Sequence, residues 1–457
     1  MTENRTRNLR KPHGSEHPTS EKKMPESQMP ENHIAENQMT ENSTTANETT
    51  MESDELGPFE RFNRLMGADR CRTPYPEFAA MRAEGPVLRR ELESTLGLSE
   101  DALRSGNPEL YLAVSHDAVA QVLRDGDAFS SSAYRESMGI VMGPNILVMD
   151  EPEHGRFRDV IQTAFSKKAV ENWERGLIRP IIENLIDRFV DRGRADLVRE
   201  LTFPFPVHVI AGMLDLPRAD IPIFHGLTVD LISVAFDWQR GLEASSRLAE
   251  YLTPLIEARR KRPADDLISQ LAISEVDGRP LDNAHVLGFL RLLLPAGAET
   301  TYRSSSNLLF GLLTHPDQMK ALDADRSLLL PAIEEGLRWE VPLTSISRLC
   351  TRDTEVEGVL IPAHSLVEVV IGAANHDETR FERAEEFDIH RPPRPHLSFA
   401  FGPHRCLGMH LARTEMQVVI EAVLDRLPNL RLDPTADDVH ITGRGFRAPR
   451  ELPVLFD

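Results

Sequence analysis

A single cysteine, Cys406, lies in FAFGPHRCLGMHLAR (residues 399–413), between Phe399, Gly402 and Gly408 and just before an apolar-periodic stretch that reads as a helix. These residue types suit a buried thiolate bound to iron. A cysteine at a helix N-terminus faces unpaired N–H groups and the positive end of the helix dipole, which favour thiolate over thiol. Phe399 can shield the sulfur from water, and Gly402 and Gly408 are expected to let the backbone crowd a flat ligand. A bare Cys-x-Gly is usually an ordinary buried cysteine; four positions in the frame Phe-x-x-Gly-x-x-x-Cys-x-Gly make a specific signal.

Through this frame the chain resembles the cytochrome P-450 family of heme-thiolate monooxygenases. The resemblance implies heme b (iron protoporphyrin IX) as cofactor, with Cys406 as its proximal iron ligand. Such a thiolate pushes electron density that favours O–O cleavage. It also implies the oxygen-binding groove of the family in LLLPAGAETTYR (residues 292–303). Ala296 and Gly297 leave room at the heme, and the Thr300 hydroxyl can bond back to a carbonyl one turn earlier, which loosens the helix. Glu299 and Thr300 form an acid–alcohol pair able to relay protons from solvent; Thr301 receives no role. Pro295 departs from the family pattern, because it removes the N–H that the Arg291 carbonyl would accept and should bend the helix there.

The other motifs gain meaning from the same resemblance. In EEGLR, Glu335 and Arg338 share one helix face, a pairing worth only about 0.2–0.5 kcal/mol when it decorates a surface. The family joins such a pair to an arginine before the cysteine loop, here Arg391 of FDIHR, for folding and heme-pocket assembly. Heme propionates need cationic partners where they are buried, and His154 and Arg158 of EPEHGRFR, Arg348 of RLC and His404 occupy the matching positions. Arg156 is expected to point elsewhere, and His396 to be structural.

Positioning these groups requires a large, mostly helical scaffold. Helical periodicity covers 75–84, 116–125, 151–194, 199–215, 219–261, 281–314, 317–340 and 407–426, while PVLRR, LYLAVS, LVEVVIG and the C-terminal PVLF read as strands. The fold class expected is mainly α with small β-sheets, the cytochrome P-450 fold, in one domain over residues 56–457. Residues 1–55 contain no Phe, Trp or Tyr and repeat a loose Met-x-Glu-Asn theme, so they are expected to be a disordered, acidic and polar N-terminal tail.

Composition narrows the function. A formal charge of −20 disfavours nucleic acid as a partner. No apolar run of about 18 residues and no signal sequence is present, so no membrane anchor is expected and a cytoplasmic location is. Three cysteines without Cys-x-x-Cys spacing exclude a disulfide framework and a cysteine-rich zinc site. Arg405, His410, Arg413, Arg156, Lys167 and Lys168 read equally well as solvated helix faces or as a docking patch for an acidic carrier. The chain has no nucleotide-binding fingerprint, so electrons must come from a separate ferredoxin or flavodoxin with its NAD(P)H-dependent reductase. The expected reaction inserts one atom of O2 into a medium-sized hydrophobic substrate. Apolar segments with scattered hydroxyls, such as 132–149 and 343–347, are expected to line its pocket. Peroxide-driven and non-oxygenating heme-thiolate enzymes, and non-catalytic heme-binding proteins, share the cysteine frame; the first two usually lack the acid–alcohol pair.

Overall fold

The structure, a computed structural model, describes Asn63 and residues 71–90, 109–232 and 237–457, which fall in one contact unit, Leu56–Asp457. The tail expected over 1–55 lies outside the described residues. The helices that bear on the site are labelled α1–α10. They are α1 (Tyr75–Glu84), α2 (His116–Arg124), α3 (Met138–Met142), α4 (Glu153–Ala164), α5 (Pro204–Met213), α6 (Ile221–Ile232), α7 (Trp238–Lys261), α8 (Asn283–Thr314), α9 (Leu329–Trp339) and α10 (Met409–Arg426).

Helix α8 organises the rest. Asp282 caps it by accepting the His285 N–H at 2.9 Å, and the helix then runs 32 residues through the interior. It packs against α5, α7, α9 and α10. A helix apolar on nearly every face can only be buried on nearly every face, and Val286, Leu290, Leu294, Leu308 and Leu312 are each at most 1% exposed. The helix continues on both sides of Pro295.

A five-stranded sheet flanks the helices. Its strands are β1 (Val87–Arg90), β2 (Leu110–Ala113), β3 (Phe129–Ser130), β4 (Ile346–Cys350) and β5 (Leu366–Val369), in the order β1-β2-β5-β4-β3. Val367 pairs with Arg348 and Glu368 with Ser347 across the antiparallel β5–β4 ladder, which sets the direction of Arg348. The C-terminal strand, Pro453–Leu455, pairs with Arg194–Asp196.

Two expectations are corrected. The strand expected over 366–372 ends at Val369, and Ile371–Ala374 form one helical turn. The Gly372 N–H there bonds to the Thr344 carbonyl, and a Cβ at Gly372 would stand only 3.0 Å from the Phe78 ring, so tertiary packing overrides the β-rich composition. The helical stretch expected over 151–194 breaks after Ala164, where Ser166 caps a new helix, and ends in strand Arg194–Asp196.

Candidate active site

Backbone bonds hold the cysteine loop. The Cys406 N–H donates to the Phe399 carbonyl at 2.8 Å, the Arg405 N–H to the Gly402 carbonyl at 3.2 Å, and α10 starts three residues beyond the cysteine. Protein crowds Cys406 on one side and leaves it exposed on the other. Burial pushes its thiol up, against the Gly408 N–H and the charges of Arg158 and Arg413, which favour thiolate.

The two glycines do different work from each other. Gly402 has φ +74, and a Cβ there would lie 2.3 Å from the Leu123 carbonyl oxygen at the end of α2. Its task is therefore a tight crossing over protein backbone, which corrects the expectation that it makes room for a ligand. A Cβ at Gly408 would meet no protein atom within 4 Å, so that side of the loop is clear.

Phe399 sits beneath the Arg413 guanidinium, 4.5 Å from the ring centre. Arg413 also donates to Glu334 at 2.6 and 2.8 Å, and His396 lies 3.2 Å from the same carboxylate. Burial alone would raise the Glu334 pKa; the bonds from Arg413 and His396 overcome it and hold the carboxyl down to about 2. Arg413 is thus turned inward to tie α10 to α9, and it belongs neither to a solvated face nor to a docking patch. Arg156 pairs with Asp277 at 2.6 Å, away from the site.

Two histidines and two arginines from three elements meet near the cysteine: His154 and Arg158 on α4, Arg348 on β4 and His404 in the cysteine loop. The His154 and His404 rings are 3.9 Å apart, centre to centre. Burial first, and then the charges of His154, Arg348 and Arg158, push His404 down to about 3. Arg158 donates to the Arg405 carbonyl at 2.6 Å, and Arg348 to the Ser347 carbonyl at 2.8 Å. His154 is 1% exposed, its Nδ1 lies 3.0 Å from Glu151, and its Nε2 is buried without a hydrogen-bond partner among the described residues. An orphaned buried ring nitrogen beside two guanidinium groups and a second imidazole matches a ligand that brings anionic oxygens. Together with an accessible sulfur and a clear Gly408, this donor set fits heme b: Cys406 for the iron, and His154, Arg158, Arg348 and His404 for its two carboxylates.

On α8 the Thr300 hydroxyl donates to the Ala296 carbonyl at 2.7 Å. Ala296 is exposed and Thr300 partly so, although the helix around them is buried; Gly297 faces Ile210, 3.1 Å from where its Cβ would stand. Glu299 is 3% exposed, and burial pushes its carboxyl up to about 7 against the Arg303 guanidinium, 3.4 Å away. Arg303 lies over the Tyr302 and Phe446 rings at 4.8 and 5.4 Å. Its role is open to reading from spacing, since a charge four residues after Glu299 shares its face.

The structure brings Glu335, Arg338 and Arg391 together. Arg338 grips the carboxylate with two bonds of 2.8 Å, Arg391 Nε reaches both oxygens at 3.1 and 3.2 Å, and the Asp388 N–H adds a bond of 3.0 Å. Glu415, which carries no marker in the sequence, is buried on α10. Burial pushes it up to about 8, offset only by a bond from the Thr301 hydroxyl of α8.

Comparison with known proteins agrees with this geometry. Residues 228–444 match the family model described as Cytochrome P450. The cytochrome P450 monooxygenase PikC of Streptomyces venezuelae is 34% identical over 402 residues, covering 85% of this chain and 92% of that protein. A steroid C26-monooxygenase of Mycobacterium tuberculosis (strain CDC 1551 / Oshkosh) is 36% identical over 365 residues, covering 78% of this chain and 92% of its own. The solved structure of cytochrome P450 CYP109Q5 from Chondromyces apiculatus superposes with a TM-score of 0.76 at 32% identity, covering 86% of this chain and 97% of that one. The fold and the cysteine site define a heme-thiolate oxidoreductase. The chain belongs to the cytochrome P450 family: it is a monooxygenase of bacterial type that binds heme b. Among the described residues, no helix is long and apolar enough to cross a membrane.

Proposed function

We propose that residues 56–457 form a heme domain that hydroxylates a medium-sized hydrophobic molecule, drawing electrons from a separate ferredoxin or flavodoxin and its NAD(P)H-dependent reductase. When bound, heme b supplies the oxygen and electron chemistry, and the chain supplies the sulfur ligand, the charges and the proton path. Cys406 would bind the iron; His154, Arg158, Arg348 and His404 would hold the propionates; Glu335, Arg338 and Arg391 would brace the loop.

One observation carries the proton path. A hydroxyl held at 2.7 Å to a carbonyl one turn back follows, by one residue on the same helix, a buried acid poised at about 7. A carboxyl with that pKa is populated in both forms near neutrality, so Glu299 can give a proton to Thr300 and recover one from solvent. The same pair supports oxygen-driven turnover over a peroxide-driven reaction, which needs no delivered protons.

The test is oxygen-dependent NAD(P)H consumption by the heme-loaded protein with surrogate ferredoxin and reductase, with product and peroxide both measured. Thr300→Ala is expected to release peroxide at the expense of product, and unchanged coupling would remove Thr300 from the path. Cys406→Ser is expected to abolish the thiolate-type spectrum of the carbon monoxide complex; a retained spectrum would overturn the assignment of the ligand.

A further inference from the structure

Between Gly288 and Leu309, α8 is buried except at Arg291, Leu292, Pro295, Ala296, Gly297 and Thr300. Apart from the glycine, these positions follow two adjacent rows at i, i+4: Arg291 to Pro295, and Leu292 to Ala296 to Thr300. They form one continuous accessible stripe on a core helix. Thr300 ends the stripe on the side of the chemistry. Arg291 ends it about 13 Å away along the axis, at 1.5 Å per residue. Between them the stripe is apolar.

Among the described residues, Arg291 has no anionic partner. Its Nη2 donates to the Ser245 carbonyl of α7, its Nη1 lies 3.9 Å from the Cβ position of Gly143 beside α3, and its Nε is buried without a hydrogen-bond partner. Burial alone pushes its pKa down to about 10, with no carboxylate acting on it, so it keeps its charge at neutral pH. Two buried arginines of this chain are matched by carboxylates: Arg338 holds Glu335, and Arg447 holds Glu340 at 2.9 and 3.1 Å. An unmatched guanidinium is costly to bury and gains strongly from an oxyanion brought to its free donors.

We infer that Arg291 binds the carboxylate of the substrate, so that the molecule is a hydrophobic carboxylic acid lying along α8 with its apolar body over Pro295 and Ala296. A single guanidinium with a planar fork balances one carboxylate. This deepens the proposed hydroxylase reading and rests on it, because the stripe is taken as one wall of the substrate pocket.

The test uses the heme-loaded protein titrated by its spin-state shift with matched pairs: a fatty acid, a diterpene acid and a steroid acid, each against its methyl ester. At least one acid is expected to bind about tenfold to a hundredfold more tightly than its ester, the range of a charge-assisted hydrogen bond. In Arg291→Gln the ester-to-acid ratio of dissociation constants is expected to fall to near one, and in Arg291→Lys to stay well above one. Ratios near one for wild type, an acid preference that survives Arg291→Gln, or no acid binding at all would each overturn the inference. Melting curves and the carbon monoxide spectrum of each variant separate a lost contact from a lost fold. An acid and its ester that bind equally and are both hydroxylated would leave the hydroxylase reading standing while this one falls, and absence of the thiolate spectrum would remove the hydroxylase reading itself.

Discussion

Two buried Glu–Arg pairs in this molecule share residue types and burial and differ in how fully they are bonded. Glu335 and Arg338 are 4% and 2% exposed, Glu299 and Arg303 3% and 2%. Around Glu335, two arginines and a backbone N–H saturate both oxygens. Glu299 has one long contact of 3.4 Å, and its Oε2 lacks a proper hydrogen bond among the described residues. A buried carboxylate with a single distant cation is driven toward its neutral form, and the Glu299 carboxyl rises to about 7. Saturation suits a structural joint, whereas undersaturation suits the proton-carrying role proposed for Glu299.

The joint offers the larger effect. Glu335→Ala leaves Arg338 and Arg391 facing one another without their shared anion, which should cost about 3–5 kcal/mol of stability. Denaturant unfolding of the heme-loaded protein measures it. A loss below about 1 kcal/mol would mean that the two Glu–Arg pairs are energetically alike and that their difference in bonding carries no weight.

How far the sequence anticipates the two pairs differs for a physical reason. The Glu335–Arg338 spacing and the cysteine frame are local patterns legible in the spacing of the residues, and the family resemblance, not spacing, supplies Arg391 and the propionate cluster. The state of Glu299 depends on how many donors the fold leaves it, which no spacing reveals. The unmatched Arg291, the Thr301–Glu415 contact and the crossing of Gly402 over α2 are likewise tertiary facts. The helical class is legible in the 3.6-residue periodicity. The strand end at Val369 is not, because packing of Gly372 against Phe78 decides it.

A smaller effect separates the pairs by pH. The proton-donating form of Glu299 is present below about pH 7 and is lost above it, so coupling of electrons to product should fall as pH rises through 7. Glu299→Gln should remove that step and release peroxide severalfold more than wild type at pH 6, since a positioned general acid contributes on the order of a hundredfold or more to its proton transfer. Arg303 lowers the acid's pKa, so Arg303→Met should move the fall to higher pH. An identical pH profile in wild type and Glu299→Gln would show that the undersaturated pair carries no protons.

Glu415 extends the comparison to a buried carboxyl on which no cation acts, and its effect is the smallest per pH unit. Its carboxyl rises to about 8, so between its ordinary value of 4.5 and 8 the folded chain holds a proton that the unfolded chain has released. Stability should therefore be fully present below about pH 4.5 and decline toward pH 8, by up to about 1.4 kcal/mol per unit from this group. Glu415→Gln keeps an acceptor for the Thr301 hydroxyl and cannot ionise, so its unfolding free energy should decline less steeply than wild type between pH 6 and 7. Parallel declines would mean that Glu415 is ionised in the fold, and that a hydroxyl alone can do for a buried carboxylate what Arg338 and Arg391 do for Glu335.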